Sequence, residues 1–509
     1  MSQGHTTRAE FLKVVGAAST WVVFLNALVG CKAEAKSLPA NAPEQPEYVQ
    51  AFRSRPDLTP ATIEVITQAH GTAPGYIFIA LKEGAGEHGP MIIDDTGNLV
   101  WFGKYARARD FKVQYFHDEP VLTWWEGRVV QGHGVGEYVI FDGFYQEITR
   151  VRAGNGLKGD LHEFLITPRD TALLTAYEAV RMDLSSVGGR EDGVVWGGIA
   201  QELDIETGEM LFEWRSLDHV GIEDSYARPS DESAPFYDYF HINSIALDND
   251  GNLLISSRNT SAVYKIDRES GEILWRLGGK RSNFEMGPGT RTAFQHDARR
   301  HGDGTITIFD NGAGLGKVHK QSRGIVVDLD ENEMRATLLH EYTSPEELLA
   351  TSQGNVQALP NSNVFVGWGS EPYFSEFSSE GKLLLDARFP PNGETYRAFR
   401  FPWKGFPTDA PAVSVDKRSS GQAILYASWN GATEVATWEV LTGPSPDKLK
   451  ILGTAPRKGF ETAITLRTSE PYVGVRARDR FWRMLGVSKV INLGDHAEGY
   501  SSPITGGLM

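Results

Sequence analysis

Three histidines, His162, His241 and His296, occupy matching places along the chain. Each opens an apolar strand seven to nine residues before a polar or glycine-bearing turn. After two of these turns the returning strand ends in a polar residue, Arg258 after LLISS and Asn311 after TITIFD; in the third, Tyr177 and Glu178 hold that place. Imidazole gives or takes a proton near neutral pH and becomes a nucleophile when neutral. The guanidinium of Arg258 offers a planar fork to a sulfate or carboxylate. Arg299, three residues after His296, is expected to reach the same pocket. His133, in the Gly-rich QGHGVGEY, either enters the site from the rim or, as the pattern favours, is an exposed loop residue. His162, His241 and His296 as acid, base or nucleophile, with Arg258, Asn311, Arg299 and Tyr177 as binding groups, make a site for a small anion.

Other chemistries find less support. Three imidazoles from separate repeats can hold zinc or copper with an open position. No H-x-x-x-H run or carboxylate cluster accompanies them, so the expected metal and cofactor are none. DNDGN (248–252) begins like a calcium loop, but position 259, where the loop needs a carboxylate, is Asn. The G-x-G runs near Gly84 and Gly132 follow no Rossmann strand, and no G-x-S-x-G elbow is present. A net charge of −16 argues against nucleic acid as a partner. Any anion site must be a local basic pocket within an acidic shell.

The elements that carry these residues recur. From about Phe52 a module of short strands repeats: strand, Gly/Asp/Asn turn, apolar strand with a polar end, then a strand with a D-x-x-x-G turn and a following Trp. YIFIALKE (76–83), DLHEFLIT (160–167) and VFVGWGSE (364–371) are examples, and Gly97, Gly208, Gly271 and Gly381 mark equivalent turns. The strands are rich in Val, Ile, Leu and Phe and bounded by Gly, Asp and Asn. A repeat of several strands in roughly 40–60 residues is that of propeller blades, which bury their faces only by stacking on neighbours. The expected fold is all-β: a six-bladed (alternatively seven-bladed) β-propeller over 52–405, then a small fibronectin-like β-sandwich over 406–500, where apolar and polar residues alternate. Two insertions, Leu184–Gly198 and Leu217–Tyr239, are expected to overhang the axis as a rim or to be ordinary surface loops.

Residues 1–31 read as an export signal. His5, Arg8 and Lys13 precede an apolar run from Val14 to Val29, which ends in Leu28-Val29-Gly30-Cys31. This box resembles that of bacterial lipoproteins, with Cys31 as the lipidated residue. Cys31 is the only cysteine, so no disulfide forms within the chain. Residues 32–51 read as a tether. The expected location is the outer face of a bacterial cytoplasmic membrane, with contact through the lipid anchor only. Oligomeric state is not legible.

The segments HINSIALDNDGNLLISSRNTSAVYKID, GEILWRLGG and QHDARRHGDGTITIFDNG resemble the arylsulfotransferase superfamily, in particular its bacterial and fungal branch with a C-terminal sandwich. The resemblance implies a six-bladed propeller with a central funnel. It also implies transfer of a sulfuryl group from a phenolic ester to another phenol, through a transiently sulfated His. On the family pattern, His241 and His296 match the histidines that support the sulfuryl oxygens. The family's nucleophilic His falls where this chain has Glu371, Pro372 and Tyr373. His162 can serve instead, or transfer is direct. Related propellers include polysaccharide lyases that cleave next to a glucuronate; there the Arg and Asn neutralise the uronate and a His or Tyr takes the C5 proton. A non-catalytic glycan- or partner-binding propeller is the third reading. The expected ligand is a small anion, an aryl sulfate or a uronate glycan.

Overall fold

The computed structural model describes residues 48–229, 236–418 and 421–494. All belong to the unit Gln45–Met509. The export signal, its lipobox with Cys31, most of the 32–51 tether and the last residues of the 406–500 segment lie outside the described residues.

Among the described residues the regular structure is almost wholly strand, with one four-residue α-helix at Ser216–His219 and two three-residue 3-10 turns. Successive antiparallel meanders follow the sequence repeat. Tyr76–Glu83, Gly89–Ile93 and Leu99–Phe102 form the first. The next two run over 108–151 and 159–215 and are joined into one sheet by a single pair, Gly136 with Gly159. The fourth spans Ile242–Leu247 to Ile273–Gly278, and the fifth His296–Arg300 to Arg335–Thr343. The sixth runs from Asn355–Ala358 to Leu383–Arg388. Gly97, Gly208, Gly271 and Gly381 all have positive φ, between 72° and 84°, which glycine adopts without strain. That is why the repeat keeps glycine at these turns.

Two pairings tie the start of the repeat region to its end. Glu64–Thr67 adds to the outer edge of Leu383–Arg388, and Phe399–Phe401 adds to Tyr76–Glu83. Neighbouring meanders pack their first strands together: Gly159–Ile166 on Ile242–Leu247, and Ile242–Leu247 on His296–Arg300. Apolar side chains fill the gaps between meanders, as where Leu254, Trp275 and Ile308 share one cluster.

A buried ion network links the innermost strands. Lys112 bonds Asp110 at 2.6 Å and Glu163 at 3.1 Å; Arg397 reaches Asp110 at 3.1 Å, Glu163 at 3.4 Å and Asp297 at 3.4 Å. Arg299 pairs with Asp297 at 2.7 Å and also with Glu163. Burial opposes charge on Glu163, but Arg299, Lys112 and Arg397 outweigh it and hold the carboxyl far below its usual range. Charges from distant parts of the chain thus satisfy one another.

After residue 406, a sheet of Ala412–Lys417, Gln422–Ser428 and Glu461–Arg467 faces a second one built on Thr437–Gly443 and Tyr472–Arg478. Leu425, Trp438 and Val475 lie in the core between them. The insertion Leu184–Gly198 is not all loop. Gly193–Asp204 is a strand that pairs along its whole length with Thr171–Met182.

Candidate active site

His162 and His241 meet head to head. His162 lies in the strand Gly159–Ile166, and His241 precedes Ile242–Leu247. Their Nε2 atoms are 3.2 Å apart. The far nitrogen of each faces a carboxylate: His162 Nδ1 is 2.5 Å from Asp160 Oδ2, and His241 Nδ1 is 2.5 Å from Asp238 Oδ2. A row Asp160–His162–His241–Asp238 results.

His241 owes its position to an unusual backbone. Its φ is +54°, a left-handed conformation that costs a non-glycine residue of order 1 kcal/mol or more. The Arg258 N–H donates to its carbonyl at 2.9 Å and fixes the bend. Burial pushes the His241 imidazole down to about 4, helped by His162 and Arg258 and opposed by Asp238. The ring is therefore neutral near pH 7. Burial also opposes charge on Asp160, but the His162 and His133 rings and the Gly134 N–H hold it down to about 2.

His133 is a correction to the sequence reading. It is 3% exposed, at the start of the strand His133–Phe141, not on an exposed loop. Its Nε2 is 3.4 Å from Asp238 Oδ2, and its ring packs edge-on against Tyr177 at 4.1 Å. The glycines around it reflect close approach. A Cβ on Gly134 would lie 2.4 Å from the Leu161 nitrogen, and one on Gly136 2.3 Å from the Glu126 carbonyl.

A cavity of about 420 Å³ opens beside this row, lined by His162, Asp238, His241, Arg258, His296 and Arg109, among others. Arg258 donates to Asn259 Oδ1 at 2.7 Å and the Thr351 carbonyl at 3.1 Å, and lies over the Phe294 ring. Arg109 donates to the Ala108 carbonyl at 2.7 Å. Neither forms an ion pair among the described residues. Burial pushes both guanidiniums below their ordinary range, which signals cations short of counter-charge. In a chain of net charge −16, two unpaired arginines on one cavity select for an anion.

The remaining expected residues fall in other roles. His296 lines the cavity, but both its nitrogens are engaged. Nδ1 donates to Asn311 Oδ1 at 2.7 Å, and Nε2 accepts the Gln353 N–H at 3.1 Å. Burial, with Arg258 nearby, holds its pKa well below the usual value. Asn311 is fully buried and positions His296, while its amide donates to the Ala350 and Gln353 carbonyls at 3.2 and 3.0 Å. Tyr177 departs from expectation: its hydroxyl donates to the Ile242 carbonyl at 2.9 Å and its ring packs on His133, behind the cavity lining. Arg299 departs from expectation. It lies in the buried ion network and lines a different cavity, about 550 Å³, with Lys112 and Asp297.

Asp160, Asp238 and Arg109 were not singled out in the sequence. A signal for two of them existed: an aspartate stands two residues before His162 and three before His241. Asp238 comes from the acidic insertion Leu217–Tyr239, whose residues 230–235 lie outside the described residues.

His133, Asp238 and His241 place ligand-capable atoms within 4.8 Å of one another, a set chemically fit for a cation.

No curated protein sequence matches the chain. Among solved structures, it is similar to a protein of unknown function from Bacteroides caccae, at 15% identity over 64% of this chain and 98% of that one, with a TM-score of 0.37. It is also similar to virginiamycin B lyase from Staphylococcus aureus, at 9% identity over 71% and 94% with a TM-score of 0.30. A protein from Lactobacillus plantarum is similar at 13% identity over 77% and 99%, with a TM-score of 0.35. Likenesses this weak carry nothing about chemistry. The sequence profile of the arylsulfotransferase (ASST) family matches residues 112–390, more than half of the chain and the whole span from Lys112 through His133, the facing His162 and His241, Arg258 and His296. With that match laid over the histidine-lined cavity, the chain belongs to the arylsulfotransferase (ASST) family.

Proposed function

We propose that this protein is an exported arylsulfotransferase-like enzyme that moves a sulfuryl group from a phenolic sulfate ester to an acceptor phenol. The observation that carries the reading is the pair of unpaired guanidiniums, Arg109 and Arg258, beside the Asp160–His162–His241–Asp238 row. The arginines bind the sulfate oxygens and neutralise charge as the transition state forms. The acceptor hydroxyl loses its proton at the His241–Asp238 end of the row. The acceptor oxygen then forms a bond to sulfur as the bond from sulfur to the donor oxygen breaks. The donor leaves as a phenolate, and the row gives up the proton it took, to that phenolate or to water, and returns to its starting state. Transfer is direct, because Glu371, Pro372 and Tyr373 stand at the family's nucleophile position and both His296 nitrogens are engaged.

The fold that supports this reading is a six-bladed propeller followed by a small β-sandwich; the six meanders and the two pairings that join their ends favour it. Export and anchoring through a lipidated Cys31 rest on the apolar run and box at 14–31. Labelling with a palmitate analogue, lost in Cys31→Ser, tests the anchor.

The activity test is incubation with p-nitrophenyl sulfate and a second phenol. Acceptor-dependent release of p-nitrophenol, with matching sulfation of the acceptor, supports the proposal. Two arginines and a neutral histidine also suit β-elimination beside a uronate. A new ultraviolet absorbance from an unsaturated uronate, with no sulfuryl transfer, would favour that second reading. Glycan binding without turnover would leave a binding propeller.

A further inference from the structure

The hydrogen-bond arithmetic of the histidine row leaves one position to explain. His162 Nδ1 faces Asp160 Oδ2 at 2.5 Å, and an ionised carboxylate only accepts, so Nδ1 carries the His162 proton. In neutral His162 the Nε2 then bears a lone pair. That lone pair is 3.2 Å from His241 Nε2, which must therefore be the protonated nitrogen of neutral His241. His241 Nδ1 is left with a lone pair, 2.5 Å from the Asp238 carboxylate. Two neutral rings thus supply two protons to three contacts, and a third proton or a bound cation must fill the last one.

His133 adds to the puzzle. Its Nε2 is 3.4 Å from the same Asp238 oxygen, and neither of its ring nitrogens makes a hydrogen bond of good geometry among the described residues. Asp238 Oδ1 is also buried without a hydrogen-bond donor. One carboxylate and two imidazoles thus gather ligand-capable atoms within 4.8 Å of one another.

We propose that His133, Asp238 and His241 hold a divalent transition-metal ion of the zinc class, through His133 Nε2, an Asp238 oxygen and His241 Nδ1. A zinc ion with bonds of about 2.0–2.2 Å gathers such a set by small side-chain rotations. The cation replaces the missing donor. His241 Nε2–H then donates to His162 Nε2, and His162 Nδ1–H to Asp160, the outer support that metal-bound imidazoles usually have. Three protein ligands leave a fourth position for an oxygen ligand. Asp238 and His241 both line the 420 Å³ cavity, so that position faces the space where substrate enters. Resting on the sulfuryl-transfer reading for its role alone, the ion would bind the acceptor phenol, lower its pKa and present it to sulfur as phenolate. Binding itself does not depend on that reading.

The test is metal binding, independent of turnover. The purified chain is stripped with chelator, dialysed and titrated with zinc chloride by calorimetry, and separately with cobalt(II) while visible absorbance is followed. The expected result is one zinc per chain, a raised melting temperature and cobalt bands typical of a four-coordinate nitrogen–oxygen site. His133→Ala and Asp238→Asn should each weaken binding at least about tenfold, and His340→Ala should leave it unchanged. Absence of binding at millimolar zinc, or binding that both site variants retain while folded, would overturn the proposal. If either variant does not fold, histidine nitrogen NMR of the wild type decides. His133 Nε2 and His241 Nδ1 resonances must move on zinc addition, and unmoved resonances refute the site. A chain that binds zinc but transfers no sulfuryl group keeps this site and loses the proposed activity.

Discussion

His162 and His241 are 79 residues apart in sequence, yet their Nε2 atoms approach to 3.2 Å. Each ring is fixed from behind by its own aspartate, Asp160 or Asp238. The two side chains can therefore act only as a unit, and changes to either should show it.

For turnover, His241→Ala should lower kcat with an aryl sulfate by about 100-fold or more, the usual cost of losing a positioned acid–base group. His162→Ala and the double variant should cost about as much as the single change, not the product of both. Steady-state kinetics on the three variants checks this. Multiplicative losses would show that the rings work separately.

Anion binding should rest on both unpaired arginines. Arg258→Ala and Arg109→Ala should each reduce kcat/KM by about 10- to 100-fold, equivalent to a charged hydrogen bond of about 1.5–3 kcal/mol. Arg258→Lys should recover only part, because an ammonium lacks the planar fork. A sulfate ion should inhibit the wild type competitively and the Arg258→Ala variant far less.

Acid should destabilise the fold through His241. Its folded pKa is about 4 against an ordinary 6.5, so between these values the unfolded chain binds more protons. Stability from this group is complete above pH 6.5 and is lost as pH falls toward 4, by about 3 kcal/mol at most. The measurement is the melting temperature of wild type against His241→Gln across that range. The comparison cancels Asp386, which burial pushes up to about 6 and which contributes the opposite slope.

His296→Ala should unsettle structure before chemistry. It strands the Gln353 N–H and Asn311 Oδ1, both buried, and should cost about 2 kcal/mol or more in denaturant unfolding. A variant with wild-type stability and no activity would move His296 from a positioning role to a direct one.

Glu163→Gln should be among the most damaging single changes. It removes the negative centre shared by Lys112, Arg299 and Arg397, leaving buried cations under-compensated, and should cost about 3–5 kcal/mol. Equilibrium unfolding by urea reads the loss.

The sequence by itself settled what depends on local pattern. Strand chemistry bounded by Gly97, Gly208, Gly271 and Gly381 is a property of neighbouring residues, and so is the matching placement of His162, His241 and His296. Because a repeat folds each copy alike, those positions were legible as equivalent before any contact was known. Only the tertiary structure decided which of them touch. It joined His162 to His241, and it turned His296 toward Asn311 and Gln353. It drew Arg299 into the ion network, because Glu163 and Asp297 reach it first. Asp238 sits in an insertion with no counterpart in other copies, so no periodicity could point to it. His133 looked like a loop residue because of its glycines. Those glycines mark where two meanders press backbone against backbone, and a close approach between distant strands leaves no distinct trace in local sequence.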